Sequence, residues 1–304
     1  MKNGNKYHGT VVPVVTPFTV TGTVDAAALE RVVDAQIAGG VEGIFVLGTT
    51  GEGAHIPRAY RRQLVELVVQ RAASHPRVKV FAGLGDVRRG EPAEALDFFQ
   101  AGVDAVVAHP PIAERVPVEQ LHAWYAWLLD LVPGPLLLYN MPLTTGLSIP
   151  LDTVASLLGH PRLAGIKDSE NNPQRLAELL QRFGGKPDFA VFVGVGALMA
   201  AGLKLGADGI VPSVGNLIPE ICQQMCAAAK RGDWIRTESL YARMNAVSAL
   251  YQKGRNLNES LAALKAAMHC RGVCEPQVLP PLRIVSPAER ETIRYQMQEL
   301  QLLA

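Results

Sequence analysis

Short apolar runs rich in β-branched residues alternate with longer stretches in which apolar residues recur every three or four positions. The runs at 10–16, 43–47, 78–82, 105–108, 136–139, 164–167, 190–193 and 209–211 have the length and composition of strands. Between them, 25–38, 57–74, 90–100, 117–131, 150–158, 171–182, 196–205 and 216–230 carry helical spacing. Ala38-Gly-Gly, Gln100-Ala-Gly-Val-Asp and Leu205-Gly-Ala-Asp end helices just before the next strand, where glycine serves as the left-handed stop.

Strand–helix alternation predicts βαβ units on a parallel sheet. Eight units in about 230 residues predict an α/β fold of the (β/α)8 barrel (TIM barrel) type. A doubly wound open sheet is the competitor, but no Gly-x-Gly-x-x-Gly follows the first strand. From Asp233 onward the strand pattern stops. Segments 234–253, 258–268 and 287–303 read as helices, joined by a link containing Pro276, Pro280, Pro281 and Pro287. The expected division is a barrel with the active site over 1–230 and a C-terminal helical appendage over 231–304.

At 304 residues and 48% hydrophobic, the chain can bury a core of that size. Lys+Arg of 29 against Asp+Glu of 28, with no block of like charge, argues against nucleic acid or an anionic membrane as a partner. Met1-Lys-Asn-Gly-Asn-Lys-Tyr-His lacks the apolar core of a signal peptide. Residues 131–151 are uncharged and nominally long enough to span a bilayer, yet Pro133, Pro135, Pro142 and Pro150 break them. A cytoplasmic protein is expected. Cys222/Cys226 and Cys270/Cys274 have the paired spacing of a zinc site. The first pair lies in a helical pattern, however, and reduced, unliganded thiols are expected.

Three segments at predicted strand ends carry chemistry, and in a barrel the reacting groups lie at those ends. Lys167 closes the apolar run Leu163-Ala-Gly-Ile-Lys167. A lysine with a free pKa of ~10.4 is a poor nucleophile, but at the mouth of an apolar pocket its neutral amine can attack a ketone. Gly48-Thr49-Thr50-Gly51-Glu52 can turn successive N–H groups into one concavity that binds a carboxylate, with hydroxyls beside it. Tyr139-Asn140-Met141-Pro142 places a phenol where it can pass protons. Each has an ordinary reading alone: a solvated strand-end lysine, a βα turn, a tyrosine capping the core. Together they describe enamine chemistry on a 2-keto acid.

This set resembles the dihydrodipicolinate synthase / N-acetylneuraminate lyase family of pyruvate-dependent class I aldolases. The likeness runs through Val15-Thr16-Pro17-Phe18, 48–52, 139–142, 165–169, Phe192-Val-Gly194, Gly206-Ala-Asp-Gly-Ile-Val211 and Asn216. The resemblance implies that Lys167 forms the Schiff base and that Gly48, Thr49 and Thr50 bind the pyruvate carboxylate. It further implies that Thr49 relays protons, Tyr139 is the general acid/base, and the Val211 backbone lies beside the keto acid. It implies a homotetramer, with no metal or organic cofactor beyond the covalent intermediate on Lys167.

The chain departs from dihydrodipicolinate synthase at two places. After strand four, Ala108-His-Pro-Pro-Ile-Ala-Glu-Arg-Val-Pro117 lacks the relay tyrosine, and the next is Tyr125 in the following helix. Two residues beyond Tyr-Asn-x-Pro, Thr144 replaces an arginine that binds the carboxylate of aspartate semialdehyde. Losing such a bond costs about 1.5–3 kcal/mol. A polar, uncharged rim of Thr144, Asn140 and Ser169 suits a hydroxylated aldehyde, so cleavage of a 2-keto-3-deoxy sugar acid is expected. His109 and Arg115 are candidates for the same rim or for ordinary loop positions. Glu52 reads either as a buried support or as the N-terminal acid of the next helix. The alternatives are a synthase condensing pyruvate with aspartate semialdehyde, a dehydratase using the same Schiff base, and a keto-acid sensor. A sensor would need neither Lys167 nor Tyr139.

Overall fold

The computed structural model describes residues 5–85, 87, 93–112 and 116–303. The chain enters on β1 (Gly9–Pro13) and then repeats one unit. α1 (Ala26–Ala38) leads to β2 (Gly43–Val46), α2 (Arg58–Ala72) to β3 (Lys79–Gly83), and α3 (Ala93–Ala101) to β4 (Ala105–Ala108). α4 (Leu121–Leu131) leads to β5 (Leu136–Asn140); α5 (Pro142–Thr145) and α6 (Leu151–Leu157) then precede β6 (Leu163–Asp168). α7 (Pro173–Phe183) leads to β7 (Ala190–Val193), α8 (Met199–Lys204) to β8 (Gly209–Ile210), and α9 (Pro219–Lys230) completes the last unit. Among the described residues the eight strands pair in chain order, all parallel, and Gly9 and Thr10 meet Gly209 and Ile210 to close the barrel.

Every predicted strand is present, with small differences at the ends. β1 stops at Pro13 rather than running to residue 16, because Val15 gives its N–H to Asn216 Oδ1 (3.0 Å) instead of continuing the ladder. α5 is a single turn that the sequence pattern did not show. Proline at its first position and Gly146 at φ 68° after its last preset both ends.

Strands buried on both faces explain the nearly continuous apolar runs. Outward residues such as Val12, Ile44, Val106, Leu138 and Ile166 pack on the helix layer through Leu29, Val33, Leu64 and Leu128. Inward residues Val11, Phe45, Phe81, Val107, Leu137 and Phe192 fill the barrel. Side chains alternate with a period of two, so the outward Leu138 and Ile166 oblige their neighbours Tyr139 and Lys167 to point inward.

After the barrel, α10 (Trp234–Gln252), α11 (Leu257–Cys270) and α12 (Pro287–Glu299) follow. Each has its N-terminus capped by a side chain: Asp233, Asn256 in a capping box with Glu259, and Ser286. Leu240, Met244, Val247, Leu264, Met268 and Ile293 belong to the same apolar cluster as the barrel's outer layer, so the appendage shares the barrel's core. Among the described residues, no helix is long and apolar enough to cross a membrane. Cys222, Cys226 and Cys274 are buried, unbonded thiols. Burial pushes Cys226 up to about 12 and Cys274 up to about 11, so neither is a thiolate at neutral pH.

Candidate active site

Tyr139 and Lys167 are direct partners across the β5–β6 ladder. Lys167 Nζ lies 4.0 Å from the centroid of the Tyr139 ring and 4.9 Å from that of Phe45. The lysine is only 6% exposed and stands among the aromatic side chains that fill the barrel mouth. Space for it comes from the residue just after β7: a Cβ on Gly194 would fall 3.1 Å from Lys167 Cε and 2.1 Å from Ser169 Oγ. Gly165, on the same strand as Lys167, lets β6 lie close to β7: a Cβ there would meet the Ala190 carbonyl oxygen at 2.2 Å.

Thr49 Oγ1 lies 3.2 Å from the Tyr139 hydroxyl. Burial alone would raise the Tyr139 phenol. The Lys167 ammonium, together with hydrogen bonding to Thr49, Lys167 and Ser169, outweighs burial and brings the phenol below its usual value near 10. A base poised in this way is what proton transfer at a carbon–carbon bond requires.

The loop carrying Thr49 is strained at both ends. Leu47 and Glu52 adopt φ of 60° and 59°, conformations that cost side-chain-bearing residues roughly 1–3 kcal/mol each. Gly51 and Gly53 give their N–H groups to the Gly48 carbonyl, Glu52 gives its own to the Thr49 carbonyl, and Thr16 Oγ1 donates to the Gly51 carbonyl at 2.8 Å. Among the described residues, the N–H groups of Thr49 and Thr50 have no acceptor within the protein. Two adjacent backbone donors without a partner are available to a carboxylate.

A cavity of about 520 Å³ opens beside Thr49 and Tyr139, bounded by the loops after β2 to β5 and by α11; neither Lys167 nor Thr50 lines it. Gly48, Thr49, Tyr139, Thr144, His109 and Leu257 are among its walls. Thr144 donates its hydroxyl to the Met141 carbonyl (3.2 Å), which leaves its oxygen able to accept. The His109 ring meets Tyr139 edge to face, 6.4 Å between centroids, and its Nδ1–H donates to the Pro110 carbonyl at 2.7 Å. Val211, just beyond β8, donates its N–H to the Val193 carbonyl and buries its side chain with Tyr139 and Phe192. Arg115 lies outside the described residues.

Asn140 does not join this group. It follows Tyr139, so the strand's period of two sends it outward. Its carboxamide donates to Asp168 Oδ2 (2.9 Å) and Glu170 Oε2 (3.1 Å), and accepts from the Ile149 N–H (3.0 Å). These bonds secure β5 to β6 and to the segment ahead of α6. Glu52 is a buried support rather than an exposed helix-end acid: it is 2% exposed and ion-paired with Lys265 of α11.

Two further buried residues shape the site: Arg61, which the sequence reading passed over, and Asn216, which it named only as part of the family resemblance. Arg61 of α2, 5% exposed, donates to the Gly53 carbonyl and, at 2.8 Å, to the Gly83 carbonyl, and pairs with Glu94. It thereby joins the loops after β2 and β3. Its spacing to Leu64, Val65 and Val68 marks the buried face of α2, the one signal the sequence offered. Asn216 clamps β1 to the turn after β8, donating to the Pro13 and Ser213 carbonyls and accepting from Val15 N–H and Gln36 Nε2. Tyr125 is no substitute for a relay tyrosine, since its hydroxyl is buried against the Ala108 carbonyl (3.2 Å).

Residues 6–300 match the model of the dihydrodipicolinate synthetase family. A 4-hydroxy-tetrahydrodipicolinate synthase of Thioalkalivibrio sulfidiphilus is 31% identical over 289 residues, covering 95% of this chain and 96% of that one. The structure of dihydrodipicolinate synthase from Bacteroides thetaiotaomicron superposes with a TM-score of 0.88 at 31% identity, covering 96% of this chain and 98% of the other. A chloride-inhibited dihydrodipicolinate synthase from Acinetobacter baumannii, complexed with pyruvate, superposes equally well (TM-score 0.88, 26% identity, 97% and 99% covered). With a lysine, a tyrosine and a threonine gathered at the mouth of a closed eight-stranded barrel, this chain belongs to the dihydrodipicolinate synthetase family of class I aldolases and lyases.

Proposed function

We propose that the chain is a Schiff-base lyase that cleaves a 2-keto-3-deoxy sugar acid to pyruvate and an aldehyde. The observation that carries the class of chemistry is the Tyr139–Lys167–Thr49 cluster at one barrel mouth. The pyruvate complex of the Acinetobacter baumannii relative supports pyruvate as the keto acid. The carboxylate takes the N–H groups of Thr49 and Thr50 beside Gly48. The neutral Lys167 amine adds to the C2 ketone. The Tyr139 phenol gives its proton to the departing hydroxyl, so water leaves, an iminium remains on Lys167, and Tyr139 is left as the phenolate. Tyr139 withdraws the proton from the C4 hydroxyl, the C3–C4 bond breaks, and its electron pair enters the C2–C3 enamine as the aldehyde departs. The enamine is protonated at C3, with Thr49 passing the proton, and water releases pyruvate from Lys167. Thr144 accepts from a substrate hydroxyl, and the Val211 backbone flanks the keto acid.

A second reading is favoured by the relatives' name: condensation of pyruvate with aspartate semialdehyde. Against it stands Thr144, a neutral side chain where a second carboxylate would need a cation, although Arg58 lines another part of the same cavity. The two are separated by comparing kcat/KM for pyruvate release from 2-keto-3-deoxygluconate with that for pyruvate consumption alongside aspartate semialdehyde. Faster condensation would replace the first reading with the second. The working unit is proposed to be a cytoplasmic homotetramer, testable by sedimentation. Turnover is expected to survive exhaustive chelation, because the iminium is itself the electron sink. Loss on chelation, restored by one metal, would overturn that part.

A further inference from the structure

Lys265 is 1% exposed, in the middle of α11, and faces the underside of the loop that carries Thr49. It pairs with Glu52, and its ammonium also donates to the Gln277 carbonyl at 2.7 Å and sits 4.0 Å from the Phe18 ring centroid. The second carboxylate oxygen of Glu52 accepts the Leu279 N–H at 2.7 Å. Glu52 is thus bound on one side by α11 and on the other by the segment that follows it. Glu52 is also one of the two side-chain-bearing residues held at positive φ in this loop. Glutamate does not favour that conformation by itself, so the turn's own hydrogen bonds and the contacts from α11 and Leu279 together hold it. Crowding supports the same view: a Cβ on Gly53 would fall 2.0 Å from the Leu47 carbonyl oxygen, so the loop has little room to relax.

We propose that Lys265 is a positioning residue for the reaction: through Glu52 it holds the Thr49 loop in its strained turn, which makes the C-terminal helices part of the catalytic apparatus. The inference rests on the Schiff-base reading for its consequence, and on the Lys265–Glu52 geometry for its cause. A buried ion pair is a poor source of stability, since desolvation offsets much of the attraction, but it specifies one arrangement of the groups it joins. Burial lowers the Lys265 ammonium against the opposing pull of Glu52, as expected for a charge kept only by its partner. The same helix supplies Leu257, Asn258 and Leu261 to the cavity wall, so a shift of α11 reaches both the relay and the pocket.

The test compares Lys265→Met, Lys265→Arg and the double variant Glu52→Gln/Lys265→Met in the full chain. In the double variant neither position of the pair carries a charge, and the amide oxygen can still accept from Leu279. Turnover is expected to fall on the order of a hundredfold in Lys265→Met and in the double variant, chiefly in kcat, with partial rescue in Lys265→Arg. The double variant is expected to recover thermal stability without recovering kcat. Recovery of both together would mean that the pair is structural only and would overturn the proposal. Two readouts stand apart from turnover. Hydrogen exchange at the Gly51, Glu52 and Gly53 amides should accelerate, and the Tyr139 phenol should titrate higher as Thr49 drifts from it. Unchanged exchange and unchanged titration would also overturn it. If the wild-type protein fails to trap pyruvate under borohydride, the Schiff-base reading fails instead, and these two readouts still decide the positioning role.

Discussion

The two halves of the pocket are built differently. The half proposed to take the keto acid rests on strands: Lys167 and Tyr139 pair across a hydrogen-bonded ladder, with Phe45 and Phe192 in the same apolar cluster as Tyr139. The half proposed to take the aldehyde rests on the loops after β3, β4 and β5, on α5 and on α11. Strand pairing fixes side chains to a fraction of an ångström, whereas loops tolerate substitution. A family can therefore keep one covalent chemistry while exchanging the walls that choose its partner. The Thr49 loop stands between the two. It is irregular backbone, yet Thr16, Arg61 and Glu52 tie it to four other segments.

The largest effect should come from the strand half. Lys167→Ala is expected to reduce turnover to background. Borohydride with pyruvate should add a stable mass to the wild-type chain at Lys167 and none to the variant, because reduction of the imine leaves a secondary amine that cannot hydrolyse. Mass spectrometry of proteolytic fragments checks this, and labelling at another lysine would break the assignment.

Tyr139→Phe should lower kcat by roughly a hundredfold to ten-thousandfold, the usual range for loss of a general acid/base. It also has a signature in stability. The phenol's value is depressed in the folded protein, so its ionisation favours folding. That contribution is complete above the unfolded value near 10 and disappears as pH falls through the folded value. The stability advantage of wild type over Tyr139→Phe should therefore widen as pH rises toward 10, measured by thermal unfolding across pH. In Lys167→Met the main opposing charge is gone, and tyrosinate absorbance should show the phenol moved upward.

Thr144→Val, in the loop half, should leave borohydride trapping of pyruvate intact. It should reduce kcat/KM for a hydroxylated substrate by about two- to tenfold, the worth of one neutral hydrogen bond. Equal losses in trapping and cleavage would show that the halves are not separable. The smallest catalytic effect is expected at Asn140, whose amide is spent between strands. Asn140→Ala should cost about 1–3 kcal/mol of stability, read from denaturant unfolding, with KM little changed.

Much of this molecule was legible in the order of its residues. Eight strand–helix units are local patterns, set by side-chain periodicity and by glycines that stop helices, and the structure moves their ends by only a few residues. Lys167 and Tyr139 were legible too, because each ends an apolar run whose alternation turns it inward. The same alternation, applied one residue further, would have placed Asn140 on the outer face. Arg61 and Lys265 each lie on the apolar stripe of a helix, but a charge on that stripe announces burial without naming its partner. Closure of the barrel decided the rest. It brought Glu52 of the β2 loop against Lys265 of α11, carried Asn216 from the turn after β8 to the end of β1, and opened the cavity that Thr144 faces. Helix and strand arise from forces within a few residues of each other, and the sequence determines them directly. Ion pairs and cavities depend on which distant surfaces meet, and that is settled only when the whole core packs.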